Sequence, residues 1–326
     1  MIFWAQVVGG FLLLLFAADY MVRGAVAISH RLTVPPIVIG MTVVAFGTSA
    51  PELVVGLEAG LSGAAGLALG NVIGSNVANV LLVLGCAALV APIVPKQGAL
   101  IHDSVVLMGG SIVFAFFCVQ GEVGRIGGFL LVAGLLAFVI SAYKREYGAK
   151  TPDGDLLVEE VEEVGSLPDS LAIEILALVA GLAGILFGAD LLVEGAIGIA
   201  REFGVAEEVI GLTVIAIGTS LPELAASLAA AYRGHADVAV GNVVGSNLFN
   251  ILGIAGIVAI VTPLPVAGQL ISFDIWIMLL TSALVLPLLL WRWRLMRSTG
   301  LVFLISYAGY IAAQAFGVER LLGLFG

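Results

Sequence analysis

The chain has 326 residues, 61% of them hydrophobic and 11% charged, with a mean hydropathy of +1.16. Soluble domains are about 45–50% apolar and about 25% charged, so this composition excludes a soluble globule and indicates a polytopic membrane protein. The net charge of −10 comes in good part from the acidic stretch Asp153 to Asp169, and the chain has no basic patch suited to nucleic acid.

Each apolar stretch is about 17–25 residues long, which suits helices rather than the roughly ten-residue alternation of barrel strands. Ten spans are expected, near 2–22, 34–58, 67–92, 103–119, 124–143, 171–193, 206–231, 238–263, 274–291 and 300–316. The first contains FLLLLFAAD, which resembles the apolar core and cleavage site of a signal peptide. It lacks a basic leading region, and its internal counterpart at 187–190 cannot be a cleavage site, so it is expected to be a permanent helix. Asp19 at its end, and Asp190 in the sixth span, read either as interfacial helix-end carboxylates or as gating residues.

The second span carries VAFGTSAPELVVG, Val44 to Gly56, with a glutamate far from any basic residue. An ionisable residue at such depth costs at least about 2.5–3.5 kcal/mol on insertion scales, so it normally faces a cavity or a partner. Pro51 lacks an N–H and obstructs the carbonyl of Gly47, so the helix is expected to break just before Glu52. The preceding half-helix would then end in free carbonyls near Ala45, and Glu52 would fall at the positive end of the next. The rival reading is a proline kink closed by a Ser49-x-x-Glu52 capping box.

The third span carries GNVIGSNVAN, residues 70–79, where helical spacing puts Ser75 and Asn79 on one face. Gly70 and Gly74 fit a small-residue packing seam, which accounts for the glycines but not for Ser and Asn. Cys86 in the same span and Cys118 in the fourth have no metal-ligand spacing and read as small packing residues.

Beyond the fifth span the sequence repeats itself at an offset of 171 residues. FAADYMVRGAVAI (16–28) matches FGADLLVEGAIGI (187–199), AFGTSAPEL (45–53) matches AIGTSLPEL (216–224), and GNVIGSNVANVLLVLG (70–85) matches GNVVGSNLFNILGIAG (241–256). The expected division is a first half at 1–143, an acidic linker at 144–169 and a second half at 170–326.

Five spans per half is an odd number, so the second half is expected to enter the membrane from the opposite side. Basic residues agree: with the N-terminus outside, ten of the 13 fall inside, and only Arg125, Arg201 and Arg320 fall outside. The expected fold is therefore all-α, ten transmembrane helices in two inverted five-helix repeats, with helices two and seven broken. Both termini are expected outside and the linker in the cytoplasm, in a cell (plasma) membrane. Glu52 and Glu223, on equivalent crossing elements, would face a common centre.

The donors around that centre are hard oxygens: two carboxylates, the Thr48 and Thr219 hydroxyls, Ser75 and Ser246, the amides of Asn79 and Asn250, and carbonyls near Ala45 and Ala216. Ca²⁺ takes six to eight such oxygens, whereas soft metals prefer thiolate or imidazole. Two carboxylates are neutralised by one Ca²⁺ or two Na⁺, and competition of those loads for one cavity is a physical basis for exchange.

At these motifs the chain resembles the sodium/calcium exchanger family of the calcium/cation antiporter superfamily, short bacterial and archaeal type. The resemblance covers essentially the whole chain. It implies sliding gating helices at spans one and six, which bears on Asp19 and Asp190. It also implies a cation cluster of Ala45, Thr48, Ser49, Glu52, Ser75 and Asn79 with Ala216, Thr219, Ser220, Glu223, Ser246 and Asn250. Some relatives, including potassium-dependent ones, have aspartate where this chain has Asn250, which argues against potassium dependence; Gly-Thr-Ser, where the proton-coupled branch has Gly-Asn, favours sodium.

The function expected is export of Ca²⁺ against Na⁺ by alternating access, with a calcium/proton antiporter as the alternative. The ions are substrates; no cofactor and no obligatory protein partner beyond the bilayer is expected. A cation channel fits an inverted repeat less well. An intramembrane serine hydrolase is disfavoured because His30, His102 and His235 lie at loops or span ends, away from Ser49 and Ser220, so the chain is not expected to be an enzyme.

Overall fold

The computed structural model describes residues 2–32, 39–94, 101–148, 167–168, 170–203, 218–290 and 294–316. The N-terminal part of the expected seventh span, with Ala216, and nearly all of the acidic linker lie outside these residues.

The described chain is nearly all helical. Helix α1 (Ile2–Leu32) is followed by α2 (Gly40–Thr48), α3 (Ala50–Leu61), α4 (Ala65–Val90), α5 (Ile101–Val119) and α6 (Arg125–Gly148). Then come α7 (Leu171–Glu202), α8 (Leu221–Tyr232), α9 (236–261), α10 (270–290) and α11 (Arg297–Phe316). Eight of these are long and apolar enough to cross a bilayer, and α2 with α3 forms one further span bent by 48°.

That bend falls at Ser49 (φ −85°, ψ 10°), two residues before Pro51, where the missing N–H and the ring clash interrupt the helical ladder. Ser220 has nearly the same conformation (φ −89°, ψ 1°) two residues before Pro222. Several helices run past the expected span ends. At about 1.5 Å per residue, 31 residues in α1 and 32 in α7 exceed a hydrocarbon core of about 30 Å. Asp19 and Asp190 therefore fall inside helices rather than at their ends.

Helices α4 and α9 form the buried centre, while large apolar side chains such as Phe11, Phe116, Phe129, Trp276 and Ile305 cover the outside. That inversion of soluble-protein patterning is what a lipid solvent requires. Helices α1 and α7 lie along each other through glycines. A Cβ on Gly10 would sit 2.7 Å from the Gly188 carbonyl oxygen, and one on Gly181 would sit 2.6 Å from the Met21 nitrogen. Only a missing side chain permits backbones that close.

Both halves use the same joints. The backbone of Ile93, beyond α4, bridges Leu295 before α11; the strand pair β1 (Glu122–Val123) and β2 (Leu264–Pro265) joins Leu264, beyond α9, to Val123 before α6. Ser111 and Ser282 are 171 residues apart and hydroxyl to hydroxyl at 3.3 Å. The Asn247 amide donates to the Asn76 carbonyl, again 171 residues away.

Candidate cation site

Four elements converge where the two halves meet: the α2–α3 break, α4, the start of α8, and α9. Glu52 and Glu223 sit in the first turns of α3 and α8, each buried, and their charges are close enough to act on one another. First-turn position favours a carboxylate through the free N–H groups of the helix start. Neither makes an ion pair with a basic side chain among the described residues, and Oε2 of each has no hydrogen-bond partner.

The kink-and-cap reading fails on geometry. Neither Ser49 nor Ser220 makes a side-chain cap to its own helix. Instead the Ser49 hydroxyl crosses to the other half and donates to Glu223 Oε1 at 2.9 Å. Ser220 Oγ is buried and has no hydrogen-bond partner among the described residues. The Thr48 hydroxyl lies 3.3 Å from the Ala45 carbonyl and 3.5 Å from Asn242 Oδ1.

Two expectations need correction. The Ala45 carbonyl is not free: it accepts the Ser49 N–H at 3.1 Å as well as the Thr48 hydroxyl, because the helix continues one residue past the point where the proline was expected to release it. Nor do Gly70 and Gly74 form a packing seam. Among the described residues nothing lies within 4 Å of a Cβ built on either, and both line a cavity of about 390 Å³. Their second-half relative Gly245 does pack, with a built Cβ only 2.3 Å from the Met41 carbonyl oxygen.

The remaining expected donors divide between the buried centre and that cavity. Asn79 donates to Asn247 Oδ1 at 3.0 Å and keeps its own Oδ1 unpartnered; Ser246 Oγ and both side-chain polar atoms of Asn250 are buried without partners. Ser75 and Thr219 line the cavity. Asn79 opens the π-helical stretch Asn79–Val83 and Asn250 is the second residue of Phe249–Ile254, a helix defect common at functional sites because the extra residue re-aims side chains. Asp19 pairs with Arg23 at 3.1 Å and with Arg233 beyond α8, whereas Asp190 is exposed.

Sequence reasoning missed four asparagines and a serine. Asn71 and Asn242 donate to the carbonyls of Glu52 and Glu223 at 3.3 and 3.4 Å, each 19 residues from its acceptor. They fix the first turns that carry the carboxylates. Ser227 accepts from Asn242 at 3.0 Å, and Asn76 and Asn247 link α4 to α9. For the asparagines the available signal was their identical placement in both copies of the Gly-Asn motif; Ser227 has no such signal, since Gly56 stands at its counterpart.

A cluster of buried, unpartnered oxygens around two carboxylates is costly unless something positive fills it. Among the described residues no group of three or more His, Cys, Asp or Glu gathers anywhere, so the donors are two carboxylates supplemented by neutral oxygens. Hard-donor cations match that set.

The model of a family described as sodium/calcium exchanger protein matches residues 2–144 and 173–316. The sodium/calcium exchanger MaX1 of Methanosarcina acetivorans is 32% identical over 333 residues, covering 93% of this chain and 95% of that protein. The inner membrane protein YrbG of Escherichia coli is 36% identical over 290 residues, with 88% of each covered. A solved structure of the sodium-calcium exchanger NCX_Mj superposes with a TM-score of 0.83 at 31% identity, over 96% of this chain and 99% of that one.

Proposed function

The chain belongs to the sodium/calcium exchanger family, a family of membrane transporters and not of enzymes, and from that premise we propose that it exports Ca²⁺ in exchange for Na⁺ by alternating access. The observation that carries this reading is the crossed pair of glutamates. Each half contributes one buried carboxylate, Ser49 of one half holds Glu223 of the other, and the oxygens of Ser220, Ser246, Asn79 and Asn250, on the same converging elements, are buried without partners among the described residues. One Ca²⁺ or two Na⁺ neutralise this pair, so the two loads exclude each other.

The architecture we assign is ten spans in two inverted five-helix halves, 1–143 and 170–326, joined by a cytoplasmic linker at 144–169. Contacts between residues 171 apart, Ser111 with Ser282 and Asn76 with Asn247, support it, since equivalent residues meet only near a two-fold axis. The basic-residue bias supports termini outside. The cation ligands proposed are Thr48, Ser49, Glu52, Ser75, Asn79, Thr219, Ser220, Glu223, Ser246 and Asn250, with the carbonyl of Ala216. Asp19 and Asp190 are assigned to gating.

The test is calcium flux in inverted vesicles. Glu52→Gln and Glu223→Gln should each abolish sodium-driven exchange, about a hundredfold or more, with insertion and folding retained. Normal exchange in either would sink the assignment, and flux that answers a pH gradient but not sodium would transfer the protein to proton coupling.

A further inference from the structure

The cavity beside Ser75 and Thr219 reaches a second carboxylate. Asp274 is 2% exposed, closes the π-helical turn that opens α10, and lines the same space as Asn71. It makes no ion pair among the described residues. The Tyr310 hydroxyl donates to its Oδ1 at 3.0 Å, the Gln314 amide donates to the same oxygen, and Oδ2 is buried without a partner. Gln269 donates its amide N–H to Gln314 Oε1 at 2.7 Å, which leaves the Gln269 amide oxygen as an acceptor on the cavity wall.

The pattern is directional. Both donors engage Oδ1, so the carboxylate is oriented with Oδ2 left as its open acceptor, and a charged partner there would be bound about twice as strongly as a neutral one. A buried charge in a membrane protein without a partner is expensive, and here the unfilled oxygen belongs to a residue on a cavity wall. The oxygens within reach are few and hard: Asp274 Oδ2, the Gln269 amide and the Tyr310 phenol. One negative charge is balanced by one positive charge; a divalent ion would leave an excess charge and lack the six to eight oxygens it prefers.

We propose that Asp274, with Gln269, Tyr310 and Gln314, forms a second cation site that takes a sodium ion, separate from the glutamate centre and opening on the same cavity. A sodium ion held there stands on the approach to Ser75 and Thr219, and raises the local supply of sodium to the exchange site. The choice of sodium rests on the exchange reading; the existence of the site does not.

The experiment uses the full chain with Glu52→Gln and Glu223→Gln together, which removes the central charges, and measures equilibrium binding of radioactive sodium to the purified protein. One saturable sodium site per chain is expected to remain, to disappear on adding Asp274→Asn, and to weaken roughly tenfold with Gln269→Leu, the loss of one ligand. No saturable binding in the double variant, or binding indifferent to both further changes, overturns the proposal; Gln269→Leu decides alone if Asp274→Asn does not fold. In the otherwise unaltered protein, Asp274→Asn should raise the sodium concentration for half-maximal flux while leaving the maximal rate intact. Absence of sodium-driven flux in the unaltered protein would defeat the exchange reading, whereas sodium binding in the double variant bears on Asp274 alone.

Discussion

The two halves carry nearly the same motif and do not have the same surroundings. Leu67 is 61% exposed and its counterpart 171 residues on, Val238, is 1% exposed; Asn71 is half-buried and Asn242 is buried. Gly74 borders the cavity while Gly245 is pressed against Met41. The Ser49 hydroxyl is bonded to the opposite glutamate, whereas the Ser220 hydroxyl has no partner among the described residues; Asp19 is tied to Arg233 and Asp190 is exposed. On the proposed alternating-access reading, equivalent sequences in unequal environments are what the chain should show when held in one of two states. The opposite state would exchange the environments of the halves, and the difference between them maps what must move.

The glycines give the largest expected effect on that comparison. Gly245→Val cannot keep its contact with the Met41 backbone, and overpacking of this kind costs typically about 1–3 kcal/mol. Gly74→Val has room in the present arrangement but would clash once the halves exchange roles. Both substitutions should abolish sodium-driven calcium flux, for opposite reasons. A thiol introduced by Leu67→Cys, in a background lacking Cys86 and Cys118, distinguishes them: it should stay reactive with Gly74→Val and become protected with Gly245→Val. Wild-type flux in Gly74→Val would break the symmetry argument.

What could be read in the sequence follows the same division. The repeat, the glutamates, the prolines and the order of helices were legible because apolar length and proline chemistry are local properties. The bend at Ser49 followed directly from Pro51. The openness of Gly70 and Gly74 was not legible, because identical Gly-x-x-x-Gly spacing serves a seam in one half and a cavity wall in the other, and only the global state decides which. The π-helical stretches at Asn79 and Asn250 were hidden too, since a one-residue excess in the ladder has no compositional mark. The Ala45 carbonyl was assigned too simply: a proline frees the carbonyl four residues back, and Ala45 stands six back, still within the ladder.

The serines give a smaller, more pointed contrast. In protein stripped of sodium and calcium, Ser49→Ala removes a buried hydrogen bond to a carboxylate, a type worth about 1.5–3 kcal/mol. Ser220→Ala removes a hydroxyl that has no partner among the described residues and should alter stability by less than about 0.5 kcal/mol. Thermal unfolding of the ion-free protein in one detergent measures both. Equal losses would mean that the two halves interconvert freely without ions, and that the asymmetry is not the resting condition.

Arg233→Gln is expected to have the smallest effect and speaks most directly to gating. Asp19 lies on α1, which runs alongside α7 as one unit through the glycine contacts, while Arg233 follows α8 in the site-bearing part of the fold. Their ion pair therefore fastens the α1–α7 unit to the site, and among the described residues no equivalent joins exposed Asp190. Asp19 is 29% exposed and Arg233 15%, so solvent screening limits the pair to about 1 kcal/mol, roughly a fivefold shift in population. Arg233→Gln should lower labelling of the Leu67→Cys thiol by up to that factor, and high salt should imitate it partly in the unaltered protein. The same loss of labelling from Asp190→Asn would mean that the fastening is assigned to the wrong carboxylate, since among the described residues Asp19, not Asp190, is paired with the site-bearing part.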